Sequence, residues 1–153
     1  MDTAQAKEKI LKYCAYQERS QKEVKNKLYT FGISTDQVNE LMLYLVQENY
    51  LNEERFALHF SASKMRQKKW GRKKIEQELK KKGVSEKLVF KGLKALNKSR
   101  YDTNLVEVLE KKDRNISYSS AYERKQKLIR YLLGRGYLWA EIEVALEDFL
   151  SEE

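Results

Sequence analysis

The side chains in this sequence best suited to chemistry are cations. From Lys64 to Lys82 the chain carries ten Lys or Arg against two Glu, a net +8. The whole 153-residue chain is also +8, so the remaining residues sum to zero. The charge is local, and a local field of one sign points to a partner. Lys64, Arg66, Lys68, Lys69, Arg72, Lys73 and Lys74 cluster around Trp70-Gly71, where one helix breaks and another begins. Like charges this close repel, so folding alone does not ask for them. The chemistry they suit is the binding of phosphates or carboxylates; the alternative is a solvated face that aids solubility. Trp70 has two readings as well. It stacks on a base or a partner's cation, or it packs into the joint between two helices, the preferred reading. Lys80, Lys81 and Lys82 need no partner, because the helix dipole favours cations near a C-terminus.

A second basic set comprises Arg124, Lys125, Lys127, Arg130 and Arg135. Arg124 and Lys127 lie close on one helix face, and Arg130 continues around it. Catalytic signals are poor. His59 is the only histidine and reads as a surface or packing residue. Cys14 sits in an amphipathic helix and reads as a small buried hydrophobe. No His/Cys cluster has metal-ligand spacing. Gly71-Arg72-Lys73-Lys74 lacks the spaced glycines and the Gly-Lys-Ser/Thr ending of a phosphate loop. Glu53 and Glu54 are helix-start charges rather than a catalytic pair. No enzyme, no cofactor and no metal are expected.

The elements that must position these residues are helices. The first is expected over about Ala4–Glu18, with Ile10, Leu11 and Cys14 on one side. Ser20-Gln21-Lys22-Glu23 and Ser34-Thr35-Asp36-Gln37 are capping-box patterns. Val24 and Leu28, then Val38, Leu41, Met42 and Leu45, follow a period of about 3.6. The pattern returns twice. Val24, Leu28, Gly32, Ile33, Val38, Met42 and Leu45 match Ile75, Leu79, Gly83, Val84, Val89, Leu93 and Leu96. They match again Leu128, Leu132, Gly136, Tyr137, Ile142, Leu146 and Phe149, at identical offsets from each glycine. Each glycine reads as the left-handed residue that closes a helix, with an apolar contact across the cap between Leu28 and Ile33, Leu79 and Val84, and Leu132 and Tyr137.

A helix in front completes each unit: Ala4–Glu18, then Glu53–Lys69, then roughly Asp102–Lys112, the last with Tyr101, Leu105, Val108 and Leu109 on one face. Asn97-Lys98-Ser99-Arg100 is the expected flexible joint. The expectation is an all-α chain of nine helices: three tandem three-helix repeats, over 1–50, 51–98 and 99–153, in an elongated, curved array. Units of this size are near the lower limit for burying a core of their own. The absence of proline and the 35% charged residues suit helices better than sheets. No apolar run spans a membrane and no signal-like N-terminus is visible, so a cytoplasmic location is the default. One cysteine cannot make an internal disulfide.

The central stretch resembles the RecX family, bacterial regulators of the RecA recombinase. The residues that carry the resemblance are Asn52-Glu53-Glu54-Arg55-Phe56-Ala57, Gly71-Arg72-Lys73-Lys74-Ile75 and Glu78-Leu79-Lys80-Lys81-Lys82-Gly83-Val84. It implies tandem three-helix units in an extended, bent molecule. It also implies a non-enzymatic modulator, an inhibitor, that binds the RecA–single-stranded DNA filament and suppresses strand exchange and ATP hydrolysis. The expected contact residues to RecA or DNA are Lys64, Arg66, Lys68, Lys69, Trp70, Arg72, Lys73, Lys74, Arg124, Lys127 and Arg130, in a monomer with no membrane partner. The rival is a stand-alone helix-turn-helix DNA-binding protein. Neutral or acidic helix starts at Thr35-Asp36-Gln37-Val38-Asn39-Glu40 and Leu138-Trp139-Ala140-Glu141 count against it, since a recognition helix needs basic and amide side chains there. A purely proteinaceous helical adaptor is the third reading. Arg72, Lys73 and Lys74 sit in a helix's first turn, where positive charge opposes the dipole. All three are therefore expected to be locally unfavourable for folding and replaceable by Ala without loss of stability.

Overall fold

The computed structural model describes residues Met1–Glu153 as nine α-helices. They are α1 (Thr3–Tyr16), α2 (Gln21–Tyr29), α3 (Thr35–Gln47), α4 (Glu53–Lys68), α5 (Arg72–Lys81), α6 (Glu86–Lys94), α7 (Lys98–Asn115), α8 (Ala121–Gly134) and α9 (Trp139–Ser151). Local chemistry sets most of the boundaries. Ser20, Ser34, Asn97 and Ser120 each accept the N–H of the residue three positions on, and Asn52 does the same for Arg55 at 2.9 Å. The Ser34–Gln37 box is complete in both directions. The Ser20–Glu23 box is only half made: Ser20 accepts the Glu23 N–H, but the Glu23 carboxylate accepts from Ser20 Oγ and pairs with Lys82 at 3.2 Å. In place of the cap's return bond, the carboxylate takes a cation 59 positions further along the chain.

The three glycines do what their offsets require. Gly32, Gly83 and Gly136 have φ of 74°, 80° and 96°. After α5 the Val84 N–H reaches the Leu79 carbonyl and the Gly83 N–H the Lys80 carbonyl; after α8 the Tyr137 N–H reaches Leu132 and the Gly136 N–H reaches Leu133. Those are the paired bonds of a Schellman cap. The apolar partners across each cap, Leu28 with Ile33, Leu79 with Val84 and Leu132 with Tyr137, are all buried.

One expected joint is helical. Asn97 caps α7 through the Arg100 N–H at 2.9 Å, and Lys98 pairs with Asp102 one turn on at 2.8 Å. The helix therefore starts at Lys98 and extends to Asn115, longer at both ends than Asp102–Lys112. Leu96, expected on a helix face, lies beyond the end of α6.

By compactness the chain divides into two units, residues 1–60 with 79–92 and residues 61–78 with 93–153. In the first, α1, α2 and α3 pack pairwise around Ala6, Ile10, Val24, Leu28, Val38 and Leu45, each fully buried. Arg55 joins Glu18 at 2.6 Å in that unit. In the second, α7, α8 and α9 pack pairwise, and Tyr101, Leu105, Leu109, Leu128, Leu132, Ile142 and Leu146 fill the core. Each such side chain contributes about 1.5–3 kcal/mol by leaving water.

Candidate functional site

The turn between α4 and α5, at the centre of the basic cluster, is bolted to the turn between α8 and α9. A helix start leaves backbone N–H groups without partners, and a capping side chain ordinarily meets them. At α5 other elements meet them. The Gly71 N–H donates to the Arg135 carbonyl at 2.9 Å, and the Lys73 N–H to the Gly136 carbonyl at 2.9 Å. The Arg72 N–H donates to Tyr101 Oη at 2.9 Å. From the other side, the Arg135 guanidinium donates to the Lys68 carbonyl and Tyr137 Oη to the Lys69 carbonyl at 2.7 Å. The backbones come so close that no Cβ fits. One built on Gly71 would lie 2.3 Å from Gly136 C and Tyr137 N, and one on Gly136 would lie 2.4 Å from Lys74 Cβ. Gly71 is thus required by contact, whereas Gly136 is required by contact and by its φ.

Lys69 enters the left-handed region at φ 54°, an unusual place for a side chain with a Cβ. Its carbonyl holds Tyr137, and its ammonium pairs with Glu107 at 2.6 Å. Trp70 is half-buried, with Lys64 and Lys74 ammonium groups 5.3 and 4.9 Å from its ring centroid. The indole both packs in the joint and carries cations on its faces.

Arg72 departs from the sequence expectation. Its Nε donates to Glu141 Oε2 at 3.0 Å, and its guanidinium lies 4.9 Å from the centroid of the Tyr101 ring. Glu141 Oε1 accepts from Tyr101 Oη and from the Leu138 N–H, both at 2.8 Å. Tyr101 in turn meets Tyr137 edge to face at 5.5 Å. Burial holds the phenols of Tyr101 and Tyr137 well above their ordinary range. Arg72 is therefore not an uncompensated first-turn charge: a carboxylate and an aromatic ring, distant in sequence, absorb it. Lys73 has no such partner and is exposed, as are Arg66 and Lys68.

The second basic set divides in the same way. Arg124 is held bidentately by Asp113, at 2.8 Å for each bond, and also by Glu153. Its side chain is only 12% exposed, so this guanidinium faces its own unit. The hydrogen bond from Arg124 keeps the Asp113 carboxyl below its ordinary range. Lys127 donates to the Ser117 carbonyl at 2.7 Å and pairs with Glu123 at 3.0 Å. Bonds from Ser119 and Lys127 hold the Glu123 carboxyl down to about 2. Lys125 and Arg130 are exposed on α8. Elsewhere, His59 is exposed on α4, and burial pushes the Cys14 thiol up to about 11, which removes the thiolate a nucleophile needs.

Sequence reasoning missed Glu141, Tyr101 and Gly136 as partners of the basic turn. Gly71 held the one available signal, since it closes no repeat and is therefore unexplained by capping. It also passed over Lys111, Lys112 and Tyr131, which lie beside Lys69 and Arg135.

Nine helices in three three-helix domains, with solvent-facing cations at the second and third, define an all-α class of protein. Three family models match in order: the first three-helix domain of RecX over residues 6–45, the second over 52–93 and the third over 100–146. The regulatory protein RecX of Pelodictyon phaeoclathratiforme is 33% identical over 89% of this chain and 83% of its own length. That of Bacillus cytotoxicus is 27% identical over 94% of this chain. The chain spans about half the length of this Bacillus relative, 53%. The crystal structure of RecX from Lactobacillus salivarius superposes with a TM-score of 0.85 at 24% identity, covering 95% of each chain. A second regulatory RecX structure gives 0.86 at 19% identity, over 95% of this chain and 71% of that one. At these identities the superpositions speak to the fold. The chain belongs to the RecX family of regulatory proteins. No helix is long and apolar enough to cross a membrane.

Proposed function

We propose that this chain is a non-enzymatic regulator of the RecA recombinase. It binds the RecA–single-stranded DNA filament and suppresses strand exchange and ATP hydrolysis. The observation that carries this reading is the sorting of cations at the α4–α5 turn. Arg72 serves the fold, while Arg66, Lys68 and Lys73 face solvent on a backbone that hydrogen bonds and two interleaved glycines hold in place. Charges placed on a rigid turn meet a polyanion without an ordering cost at the moment of binding. Lys64, Lys69, Trp70 and Lys74 support that turn and extend its field, and Lys127 and Arg130 add to it from α8. Arg124, bound to two carboxylates, is assigned to folding rather than to the partner. An operator-reading module fits less well, because the Glu141 carboxylate at the start of α9 would face phosphates and is already committed to Arg72 and Tyr101.

The test is ATP hydrolysis by RecA on single-stranded DNA, with wild-type chain and with Arg66→Ala/Lys68→Ala/Lys73→Ala added. Wild type slows hydrolysis, and the triple variant at equal thermal stability loses most of that effect. A wild-type chain without effect on hydrolysis or strand exchange sinks the reading.

A further inference from the structure

Two adjoining concavities lie on the α7–α8 face, of about 300 and 420 Å3. They share two residues, Lys112 and Tyr131. The first is also lined by Lys69, Lys111 and Arg135, the second by Lys127 and Arg130. Against these six cations the lining holds a single carboxylate, Glu107, and Lys69 already neutralises it at 2.6 Å. The structure itself uses three of the cations. Lys69 pairs with Glu107, Arg135 donates to the carbonyl of Lys68, and Lys127 pairs with Glu123. Lys111 and Arg130 are exposed, and the Lys112 ammonium lies 4.4 Å from the centroid of the Tyr131 ring. The dipole of α7 accounts for Lys111 and Lys112 near its C-terminus. It does not account for Arg130, which stands in the body of α8.

We infer that this groove is a binding site for single-stranded nucleic acid. Lys111, Lys112 and Arg130 take successive phosphates, and the Tyr131 ring, the wall common to both concavities, stacks a base. The inference rests on the function proposed above and deepens it, by giving the nucleic-acid strand contacts other than Arg66, Lys68 and Lys73. An aromatic face set among cations is the arrangement that tolerates any sequence, because every base offers a π face. An acidic peptide would use the cations and leave the ring idle.

The experiment measures binding of the full chain to a labelled thymidine oligonucleotide about 15 nucleotides long, by anisotropy across a salt series. Lys111→Gln/Lys112→Gln/Arg130→Gln is expected to weaken binding and to lower the slope of log K against log salt by about 2, at roughly 0.7 per lost phosphate contact. Tyr131→Leu keeps an apolar side chain in place. It is expected to weaken binding about fivefold to a hundredfold with the salt slope unchanged. Thermal melts confirm that both variants fold. Wild type that does not bind the oligonucleotide, or a triple variant with wild-type affinity and slope, overturns the inference. A triple variant that keeps oligonucleotide binding but no longer slows RecA hydrolysis also overturns it, in favour of an acidic protein surface. Suppression by wild type alongside an unaltered triple variant removes the groove and leaves the function. Groove-dependent oligonucleotide binding by a chain without effect on filaments removes the function and leaves the groove.

Discussion

Replacing Gly71 by Ala tests the interlock that holds the basic turn. The added Cβ would meet Gly136 C and Tyr137 N at 2.3 Å and Gly136 O at 2.4 Å. All three are backbone atoms, so no side chain can swing aside and the two turns must separate. Separation loosens at least three hydrogen bonds between them, Gly71 to Arg135, Lys73 to Gly136 and Tyr137 to Lys69. At about 1 kcal/mol each that is about 3 kcal/mol, less about 0.4–1 kcal/mol for the stiffer unfolded chain. The expected net loss is about 2–3 kcal/mol, a fall in thermal midpoint of roughly 4–12 °C for a chain of this size. Two other glycines calibrate the measurement. Gly32→Ala meets no atom within 4 Å but must hold φ 74°, at about 1–2 kcal/mol. Gly134→Ala meets nothing, needs no special φ and lies within α8, so it should stabilise by about 0.5–1 kcal/mol. The readout is the thermal midpoint by circular dichroism. If Gly71→Ala melts at or above Gly32→Ala, the close approach does not hold the turns and the reasoning fails.

Arg72→Ala should cost about 1–2 kcal/mol by leaving Glu141 Oε2 without its cation and uncovering the Tyr101 ring, whereas Lys73→Ala should be neutral or stabilise by a few tenths of a kcal/mol through relief of first-turn repulsion; equal effects in denaturant melts would contradict the separation of their roles. Leu79→Ala removes a fully buried side chain and the partner of Val84, and should cost about 2–5 kcal/mol, read in the same melts. The carboxyls of Glu107, Asp113, Glu123 and Glu153 all titrate below their ordinary values because they accept hydrogen bonds from Lys69, Arg124, Ser119 or Lys127. Depressed carboxyls stabilise fully above the unfolded range near pH 4 and lose that contribution as pH falls towards their folded values, about 2 for Glu123. Thermal midpoints should therefore decline between about pH 4 and pH 2, and Glu123→Gln should flatten part of the decline; an unchanged profile would mean that the Ser119 and Lys127 bonds do not persist in solution.

The repeat, the helices and their caps were legible in the sequence because the forces that set them are local. A serine reaches an N–H three residues on, a left-handed glycine closes a turn within six residues, and a core face recurs every three or four. The same locality explains where sequence reasoning went wrong. Asn97-Lys98-Ser99-Arg100 reads as a flexible joint, whereas Asn97 caps α7 and the three residues after it form the first turn of that helix. The candidate site was legible only as a concentration of charge. Charge identifies a class of partner, but it does not say which cations are already used. Arg72 finds Glu141 69 positions away, Arg124 finds Asp113 and Glu153, and Gly71 is forced by a backbone 65 residues further on. No periodicity carries those distances, since a salt bridge or a Cβ clash depends on where two segments meet rather than on their spacing along the chain. The sequence by itself determined three all-α repeats and a positive centre. Only the tertiary structure decided which cations belong to the fold and which face solvent, because that division is made by contacts between the second repeat's basic turn and the helices of the third.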